Sequence, residues 1–456
     1  MRASGFKLLC LAVALYMSSI GLCADEKYYR AAVHEICQYN EDSSSDSELI
    51  NQNMAKYIQA AEISAFEDVD ILVYAEKGLF PLRPSNATWF LSYAEDVPSG
   101  KERANPCDQE EYSDRPILNT LSCIAKIYNL IIVADLIDKK KCIVSEDCDR
   151  TTINYCVSNA DECPEDGLNG ATYTNWWFDH TPLNYFSVSN QQSYSMENGI
   201  AVLSSNVHQP NVGSLGSGIY IPGNGALIYS YNPDGRSKLL ISNVPKSNNL
   251  TGNEFLNKKF YYIDDNDTFT ELYGEEPRYF GRECSVDVLG EEVSSFTDYR
   301  CRQTEVDQYT FTKLNDTSGQ IDTCSNGFCC SLSYTAESMN EAFYFGVSGY
   351  RLKFYETFWF GVQACFLARC EDVDGKPCRN FLLTSDTIFQ KVEITGSFET
   401  KHIYPHAMDT ELRLTNRSEW HFDGVSRMSY ESVNQNSLLF LGMYGRVYRR
   451  DGLVKQ

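Results

Sequence analysis

Glu76 is the first residue of this sequence whose setting indicates chemistry. It follows the apolar run Ile71-Leu72-Val73-Tyr74, which favours a buried strand, and Gly78 follows it within a predicted turn. α/β enzymes often place a catalytic carboxylate at the end of a strand, where it can act as a general acid or base. The same placement is also typical of helix caps and surface residues. Glu76 alone therefore leaves both interpretations open, and its partners must be sought elsewhere in the chain.

The cysteines form a second group that could do chemistry. The chain has 17, of which Cys10 and Cys23 lie near the N-terminus. The clusters CIVSEDC and CVSNADEC have five and six intervening residues, whereas zinc ligands usually come in pairs two to four residues apart with a matching second pair. Disulfides are the better interpretation. Because the adjacent Cys329 and Cys330 are poorly placed to bond to each other, we expect each to bond elsewhere in the second domain.

The histidines do not form a recognisable catalytic or metal-binding motif. None belongs to a Ser/His/Asp or HExxH arrangement, and the sequence has neither a phosphate loop nor a GxGxxG motif. His208 follows an apolar strand, and a loop histidine of this kind is more often structural than catalytic. We therefore expect no metal and no cofactor. The histidines are residues 34, 180, 208, 402, 406 and 421.

The candidate residues lie in two regions of the chain with different sequence patterns. From the first strand, in EKYYRAAVHEICQYN, strands and amphipathic helices alternate, with Ser45 or Asp46 as the cap of the first helix. This alternation indicates a layered α/β domain, which we place at residues 24–257. Its later part reads as a hairpin that turns at Asn232-Pro-Asp-Gly235. Short alternating runs then predict a β-rich domain at residues 258–456.

The composition restricts location and partners. The formal net charge is −23, which disfavours nucleic acid and anionic membranes as partners. Residues 1–23 have the basic start, apolar core and small residues of a secretory signal, and no later run is long enough to span a membrane. We expect a secreted glycoprotein without a lipid-anchor signal. Glycosylation sequons begin at Asn86, Asn249, Asn266, Asn315 and Asn416.

Several segments of the chain carry, in this order, a resemblance to one family. They are EDVDILVYAEKG, RPILNTLSCIAKIYNLIIVADLIDKKKC, SSNVHQPNVGSLGSGIYIP, GFCCSLSYT, GSFETKHIYP and LGMYGRVYRRDG. Together they resemble the vanins, the secreted pantetheinase and biotinidase branch of the nitrilase superfamily. The chain looks like an insect vanin-like protein from about residue 28 to its end, and FCCSLSY is specific to this branch. The resemblance implies a four-layer αββα sandwich followed by a β-rich domain.

The resemblance also implies a catalytic triad of Glu, Lys and Cys. In the family the Cys thiolate attacks an amide carbon to give a thioester, the Glu is the general base and the Lys stabilises the oxyanion. Glu76 matches the base position. The Lys and Cys segments are absent, because Cys163-Pro-Glu-Asp-Gly167 is followed almost at once by the strand TYTNWWFDH. Neither Cys156 nor Cys163 stands in a matching motif.

Three explanations of this truncation between about residues 168 and 171 remain open. The sequence is incomplete through a missed exon or splicing, or it encodes a real non-catalytic glycoprotein, or it is an enzyme with a relocated nucleophile. Losing even ~400 Å² of apolar burial would cost about 10 kcal/mol, so the gap should leave a mark on the fold. By resemblance the function is hydrolysis of pantetheine to pantothenate and cysteamine, with biotin amides as alternative small-molecule substrates. As written, we expect the chain to be inactive.

Overall fold

The structure is a computed structural model that describes most of the chain outside the N-terminus. The described residues are 27–39, 45–80, 92–98, 104–139, 170–181, 187–246, 257–264, 268–283, 285–286, 299–303, 306–354 and 358–453. The expected signal at 1–23, the sequons at Asn86, Asn249 and Asn266, and both Cys156 and Cys163 lie outside these residues.

The first part of the chain is built around a six-stranded sheet. Three of its strands are parallel neighbours, with Ala31 of the first opposite Ile71 of the second and Ile71 opposite Ile131 of the third. The other three continue the sheet in antiparallel fashion from the first strand. In spatial order the strands are β11 (Phe269–Glu271), β10 (Lys259–Ile263), β9 (Ser237–Pro245), β1 (Tyr28–Glu35), β2 (Ile71–Tyr74) and β3 (Ile131–Val133).

Two helices connect the parallel strands and cover one face of this sheet. Helix α1 (Asp46–Phe66) begins at Ser45, whose side chain accepts from the Glu48 backbone N–H while Glu48 reaches back to the Ser45 N–H. This capping box confirms Ser45, one of the two predicted caps. Helix α2 (Pro116–Tyr128) has a proline in its first turn and ends at Asn129 in the left-handed conformation, φ 53°. Both ends follow known rules of helix termination.

A four-stranded sheet packs on the other face of the first. Its spatial order is β4 (Gly170–Asn175), β6 (Ala201–Asn206), β7 (Ser217–Ile221) and β8 (Gly225–Ser230). Helix α3 (Ser187–Asn198) connects β4 to β6 and packs on the outer face. Ala31, Val33 and Val73 of the first sheet share one buried cluster with Ala201 and Leu203 of the second. The order through this part is therefore helices, sheet, sheet and helix.

The hairpin in this region differs from the sequence prediction. Strands β7 and β8 pair antiparallel around residues 222–224, so the hairpin turn lies there. The Asn232-Pro-Asp-Gly235 turn instead carries the chain from β8 in the four-stranded sheet to β9 in the six-stranded sheet, where β9 pairs with β1. The turn residues were recognised correctly, but their sequence could not tell which strands they connect.

The second part of the chain consists of β-sheets, as expected. A nine-stranded sheet contains the ladder β14 (Thr310–Lys313), β17 (Phe343–Ser348), β19 (Phe358–Val373), β26 (Leu438–Arg446), β22 (Ile403–Asp409) and β23 (Arg413–Leu414). Strands β18 (Arg351–Phe354), β20 (Lys376–Phe381) and β27 (Gly452–Leu453) also pair with β19. A five-stranded sheet contains β15 (Ser318–Ser325), β16 (Phe328–Ala336), β21 (Phe389–Gly396), β25 (Arg427–Glu431) and β24 (Trp420–Phe422).

Smaller elements complete the described fold. A three-stranded sheet joins β12 (Ser285–Val286), β13 (Arg300–Gln303) and β5 (His180–Thr181). Short 3-10 helices occur at Glu110–Tyr112, Pro210–Val212, Val306–Gln308, Thr410–Leu412, Arg417–Glu419 and Tyr448–Arg450. Within the described residues, no helix is long and apolar enough to cross a membrane.

Disulfides stabilise the β-rich part. Cys324 bonds Cys329 across the β15–β16 hairpin, and Cys330 bonds Cys365, which joins the five-stranded sheet to the nine-stranded sheet. The adjacent cysteines 329 and 330 therefore bond to different partners, as predicted. The other described disulfides are Cys370–Cys378 in this part and Cys107–Cys123 in the first.

Candidate functional site

Glu76 lies where the ends of three strands meet. It comes two residues after β2, at the edge where the parallel strand β3 also ends. Asp135, just after β3, acts on its carboxylate, and the backbone N–H of Trp176, just after β4, donates a hydrogen bond to it. The carboxyl ends of the parallel strands thus bring a second carboxylate and a backbone donor to the same place, which is where open α/β sheets usually carry their ligand sites.

Burial weakens the acidity of both carboxylates. It raises the pKa of Glu76, the nearby charge of Asp135 raises it further, and Lys77 and the Trp176 hydrogen bond oppose the change. Burial also raises the pKa of Asp135, against hydrogen bonds from the backbone N–H groups of Lys77 and Leu136. A raised pKa makes a carboxylate a stronger base, which suits the role of a general base.

The turn after Glu76 is built under tight constraints. Lys77 adopts φ 52°, which is uncommon for a residue with a side chain, and its N–H is held by the Asp135 carboxylate at 3.1 Å. A Cβ on Gly78 would collide with the Tyr57 hydroxyl. The ammonium group of Lys77 lies 5.7 Å from the centre of the Trp176 ring, within reach of a cation–π attraction. These contacts hold the carboxylate in place.

His208 is part of a buried structural network, as the sequence suggested. Its Nδ1 lies 2.6 Å from the Glu35 carboxylate, and its Nε2 accepts from the Gly235 N–H at 3.1 Å. Since Nε2 accepts, the ring proton sits on Nδ1 and is donated to Glu35. The other Glu35 oxygen accepts from the Gly216 N–H at 3.1 Å. The network therefore joins β1 to the loop before β7 and to the turn before β9.

Lys238 supplies the positive charge of this network. Its ammonium group is completely buried and lies 3.0 Å from Asp234, 3.4 Å from Glu276 and 3.8 Å from Glu35. Burial alone would lower the pKa of Lys238, but these carboxylates outweigh it and raise the pKa. Because the side chains are enclosed, the network supports the fold and does not contact a substrate.

The other predicted site residues in the described part of the chain are two sequon asparagines and the cysteines. Asn315 and Asn416 are exposed, as a glycan acceptor must be. Cys37 follows β1, where its N–H bonds the Ser237 hydroxyl at 2.9 Å. The eight cysteines in the described disulfides have no thiolate with which to attack a carbonyl carbon.

Sequence reasoning missed Asp135 and Trp176. Each follows a strand, which is a signal the sequence does carry, but that these strands end beside β2 is a property of the folded chain. The site contains a base and hydrogen-bond donors but, within the described residues, its contacts include no thiol. The fold is a mixed α/β part, which carries this site, joined to a β-rich second part.

Comparison with known proteins agrees with this class. Residues 298–451 match the family described as the Vanin C-terminal domain. Human biotinidase is 24% identical, with 94% of this chain and 90% of the relative covered. Mouse pantetheinase is 22% identical over 88% of this chain and 84% of the relative. Human pantetheine hydrolase VNN2 is 22% identical over 89% of this chain and 84% of the relative. The chain is similar to proteins of the vanin and biotinidase branch of the nitrilase superfamily.

The alignments also show that this chain is shorter inside the matched region. The alignment with human biotinidase spans 505 positions, whereas 94% of this chain is about 429 residues, which leaves about 76 positions filled by the relative alone. The alignment with mouse biotinidase spans 524 positions over 98% of this chain, which leaves about 77. These relatives therefore contain residues that have no counterpart here.

Proposed function

We propose that this chain is a vanin-type amidohydrolase that keeps the general base, Glu76, but as written does not hydrolyse pantetheine or biotin amides. One observation carries the proposal. Glu76 has the strand-end position, the backbone donor and the raised pKa of a base, while the sequence passes from Gly167 to Ala171 without the Lys and Cys segments. About 76 positions of the alignment with human biotinidase are filled by biotinidase alone, which supports a missing internal segment in this chain.

The proposed fold is the four-layer nitrilase sandwich, reduced by this segment and followed by a vanin C-terminal domain. The order of helices, sheet, sheet and helix supports it. We retain residues 24–257 and 258–456 as the proposed domains, although β10 and β11 extend the first sheet beyond residue 258. The disulfides support secretion, and the exposed Asn315 and Asn416 support glycosylation.

An amidase assay tests the proposal directly. Purified protein is incubated with pantetheine, and in parallel with a biotin amide, and the released amine is measured. We expect no release above the blank, since general-base catalysis without a nucleophile cannot form the thioester. Mouse pantetheinase, tested under the same conditions, is the positive control for the pantetheine assay. Turnover that disappears in Glu76→Ala would overturn the proposal, and its loss in Cys37→Ser would identify a relocated nucleophile.

Transcript sequencing separates an incomplete sequence from a real non-catalytic glycoprotein. Reads across the codons for Gly167 to Ala171 either include additional exons or run continuously. If additional exons encode a Lys and a Cys, we expect the longer protein to release cysteamine from pantetheine and the present chain not to release it. A continuous transcript without an alternative exon rules out the missing-segment explanation and favours a secreted binding or structural role.

A further inference from the structure

A cavity of about 520 Å³ lies between the first part of the chain and the β-rich part. Its walls come from β4 and α3 on one side and from β19, β22 and β26 on the other. This volume falls within the range of pockets that enclose a small molecule. Glu76 is not among the lining residues, although Trp176, whose backbone N–H donates to Glu76, is one of them.

The cavity follows the open edge of the four-stranded sheet. β4 is the outermost described strand of that sheet, and Ala171, Thr172 and Tyr173 all line the cavity. Consecutive side chains of a strand point to opposite faces, so three consecutive residues can line one cavity only along the strand's edge. The cavity therefore runs along the outermost described strand of this sheet.

Aromatic rings from both parts of the chain face this space. Trp177 and Phe178 line it from the segment after β4, and Tyr404, Tyr444 and Tyr448 line it from the β-rich part. Flat rings bind other rings by offset or edge-to-face stacking, which adds about 0.5–1.5 kcal/mol per pair beyond burial. A ligand held between such walls would itself contain rings.

Several polar groups of the cavity are neutral hydroxyl and indole groups. The hydroxyl groups of Tyr404 and Tyr448 hydrogen-bond to each other, and burial raises the pKa of both Tyr404 and Tyr194. The indole N–H groups of Trp176 and Trp177 have no acceptor among the described residues. These groups suit a ligand with a neutral donor or acceptor substituent, such as an amine, amide or hydroxyl.

The charge in the cavity wall is already neutralised. Arg446 lines the cavity, but its guanidinium group bonds Asp451 at 2.8 Å and lies over the rings of Phe360 and Tyr448 at 4.6 and 4.8 Å. The protein as a whole has a formal net charge of −23. Because the guanidinium group of Arg446 is already paired, an anionic ligand would gain little from it and would be repelled over longer distances by the net charge.

We propose that this cavity binds an uncharged, ring-containing small molecule. The inference goes beyond the proposed function, because it concerns a site that excludes Glu76 and requires no amide hydrolysis. It rests on the cavity volume, the aromatic walls on two sides, the neutral hydrogen-bonding groups and the paired arginine.

Two matched fluorescent probes test this inference on the full chain. N-phenyl-1-naphthylamine is neutral, and 8-anilino-1-naphthalenesulfonate has the same rings with one added sulfonate. We expect the neutral probe to bind saturably, with one molecule per chain and at least about tenfold more tightly than the sulfonate. Non-saturable binding of the neutral probe, or tighter binding of the sulfonate, would overturn the proposal.

Variants locate the probe. Ala171→Trp fills the cavity from β4 and should weaken binding of the neutral probe at least about tenfold, whereas Val425→Trp adds the same ring at an exposed position and should not. Tyr448→Ala removes a ring that is half-exposed, so it keeps the test valid if Ala171→Trp misfolds. Its control is Tyr279→Ala, at a similarly exposed tyrosine outside the cavity. Unchanged affinity in the folded cavity variants would contradict the assignment.

Discussion

At the scale of single residues, two carboxylates of this fold have opposite roles because their surroundings differ. Glu76 has one backbone donor and a second carboxylate nearby, so burial raises its pKa and leaves it suited to proton transfer. Glu35 is more deeply buried, but Lys238 and His208 outweigh the effect of burial and lower its pKa. The first is poised for chemistry, whereas the second holds the fold together.

The buried network predicts a large cost for removing its cation. Lys238→Met leaves three carboxylates without their partner inside the protein, and we expect a loss of about 3–5 kcal/mol of unfolding free energy. Urea denaturation followed by circular dichroism measures this value. Lys259→Met is the matched control: Lys259 pairs with Glu271 at 2.6 Å but is partly exposed, so its loss should cost much less than the loss of Lys238. Equal effects of the two variants would contradict the role of the network.

At the scale of elements, helix α3 connects the two parts of the chain. It covers the four-stranded sheet on one side and contacts β22 on the other. Ser189 of the helix lies 2.7 Å from Nδ1 of His406 in β22, and the Ser193 hydroxyl donates to the Pro405 carbonyl. Both hydrogen bonds are buried. Because a charge is costly in such surroundings, the packing of α3 on β22 depends on an uncharged His406.

Acidification should therefore weaken the contact between α3 and β22. Burial lowers the pKa of His406 to about 3, below the value near 6.5 of an unfolded chain. The folded state then binds fewer protons than the unfolded state between these values, so stability falls as the pH falls through this window. Between pH 7 and pH 5 we expect a loss on the order of 2 kcal/mol from this residue.

Comparing pH profiles isolates the effect of His406. Thermal denaturation at pH 7 and pH 5 is measured for the wild type, for His406→Gln and for His421→Gln, where His421 is an exposed residue of β24. The pH-dependent loss should shrink in His406→Gln and stay unchanged in His421→Gln. A profile of His406→Gln parallel to the wild type would show that the histidine does not couple the contact to pH.

At the scale of the whole molecule, the two large β-sheets of the second part pack through a shared core and a covalent bond. The core includes Leu332 and Ile394 of the five-stranded sheet with Leu367 and Leu441 of the nine-stranded sheet. The Cys330–Cys365 disulfide crosses between these sheets. The Cys330–Cys365 bond spans 35 residues of sequence and the hairpin bond spans 5, so the first restricts the unfolded chain more.

Removing the inter-sheet disulfide should therefore lower stability more than removing the hairpin disulfide. We expect a loss of about 3 kcal/mol for the paired substitutions Cys330→Ala and Cys365→Ala, and a smaller loss for Cys324→Ala with Cys329→Ala. Guanidinium denaturation of the two double variants measures the difference. The larger loss in the hairpin variant would show that the shared core, and not the crosslink, holds the sheets together.

Much of the fold could be predicted because its signals are local. The alternation of apolar residues predicted the strands, Ser45 predicted the start of α1, and the adjacent cysteines predicted bonds to separate partners. The Asn232-Pro-Asp-Gly235 turn marks the limit of such signals. Its residues specify a turn, but pairing of β9 with β1 depends on contacts between distant segments.

By itself the sequence determined the alternation of helices and strands, the acidic charge and the strand-end position of Glu76. Only the tertiary structure decided that Asp135 and Trp176 stand beside Glu76, and that Ala171 and Tyr404 line one cavity. The physical reason is that burial, pKa and enclosed volume depend on which strands pair and which faces pack. Those are properties of the folded chain and have no local signature in the sequence.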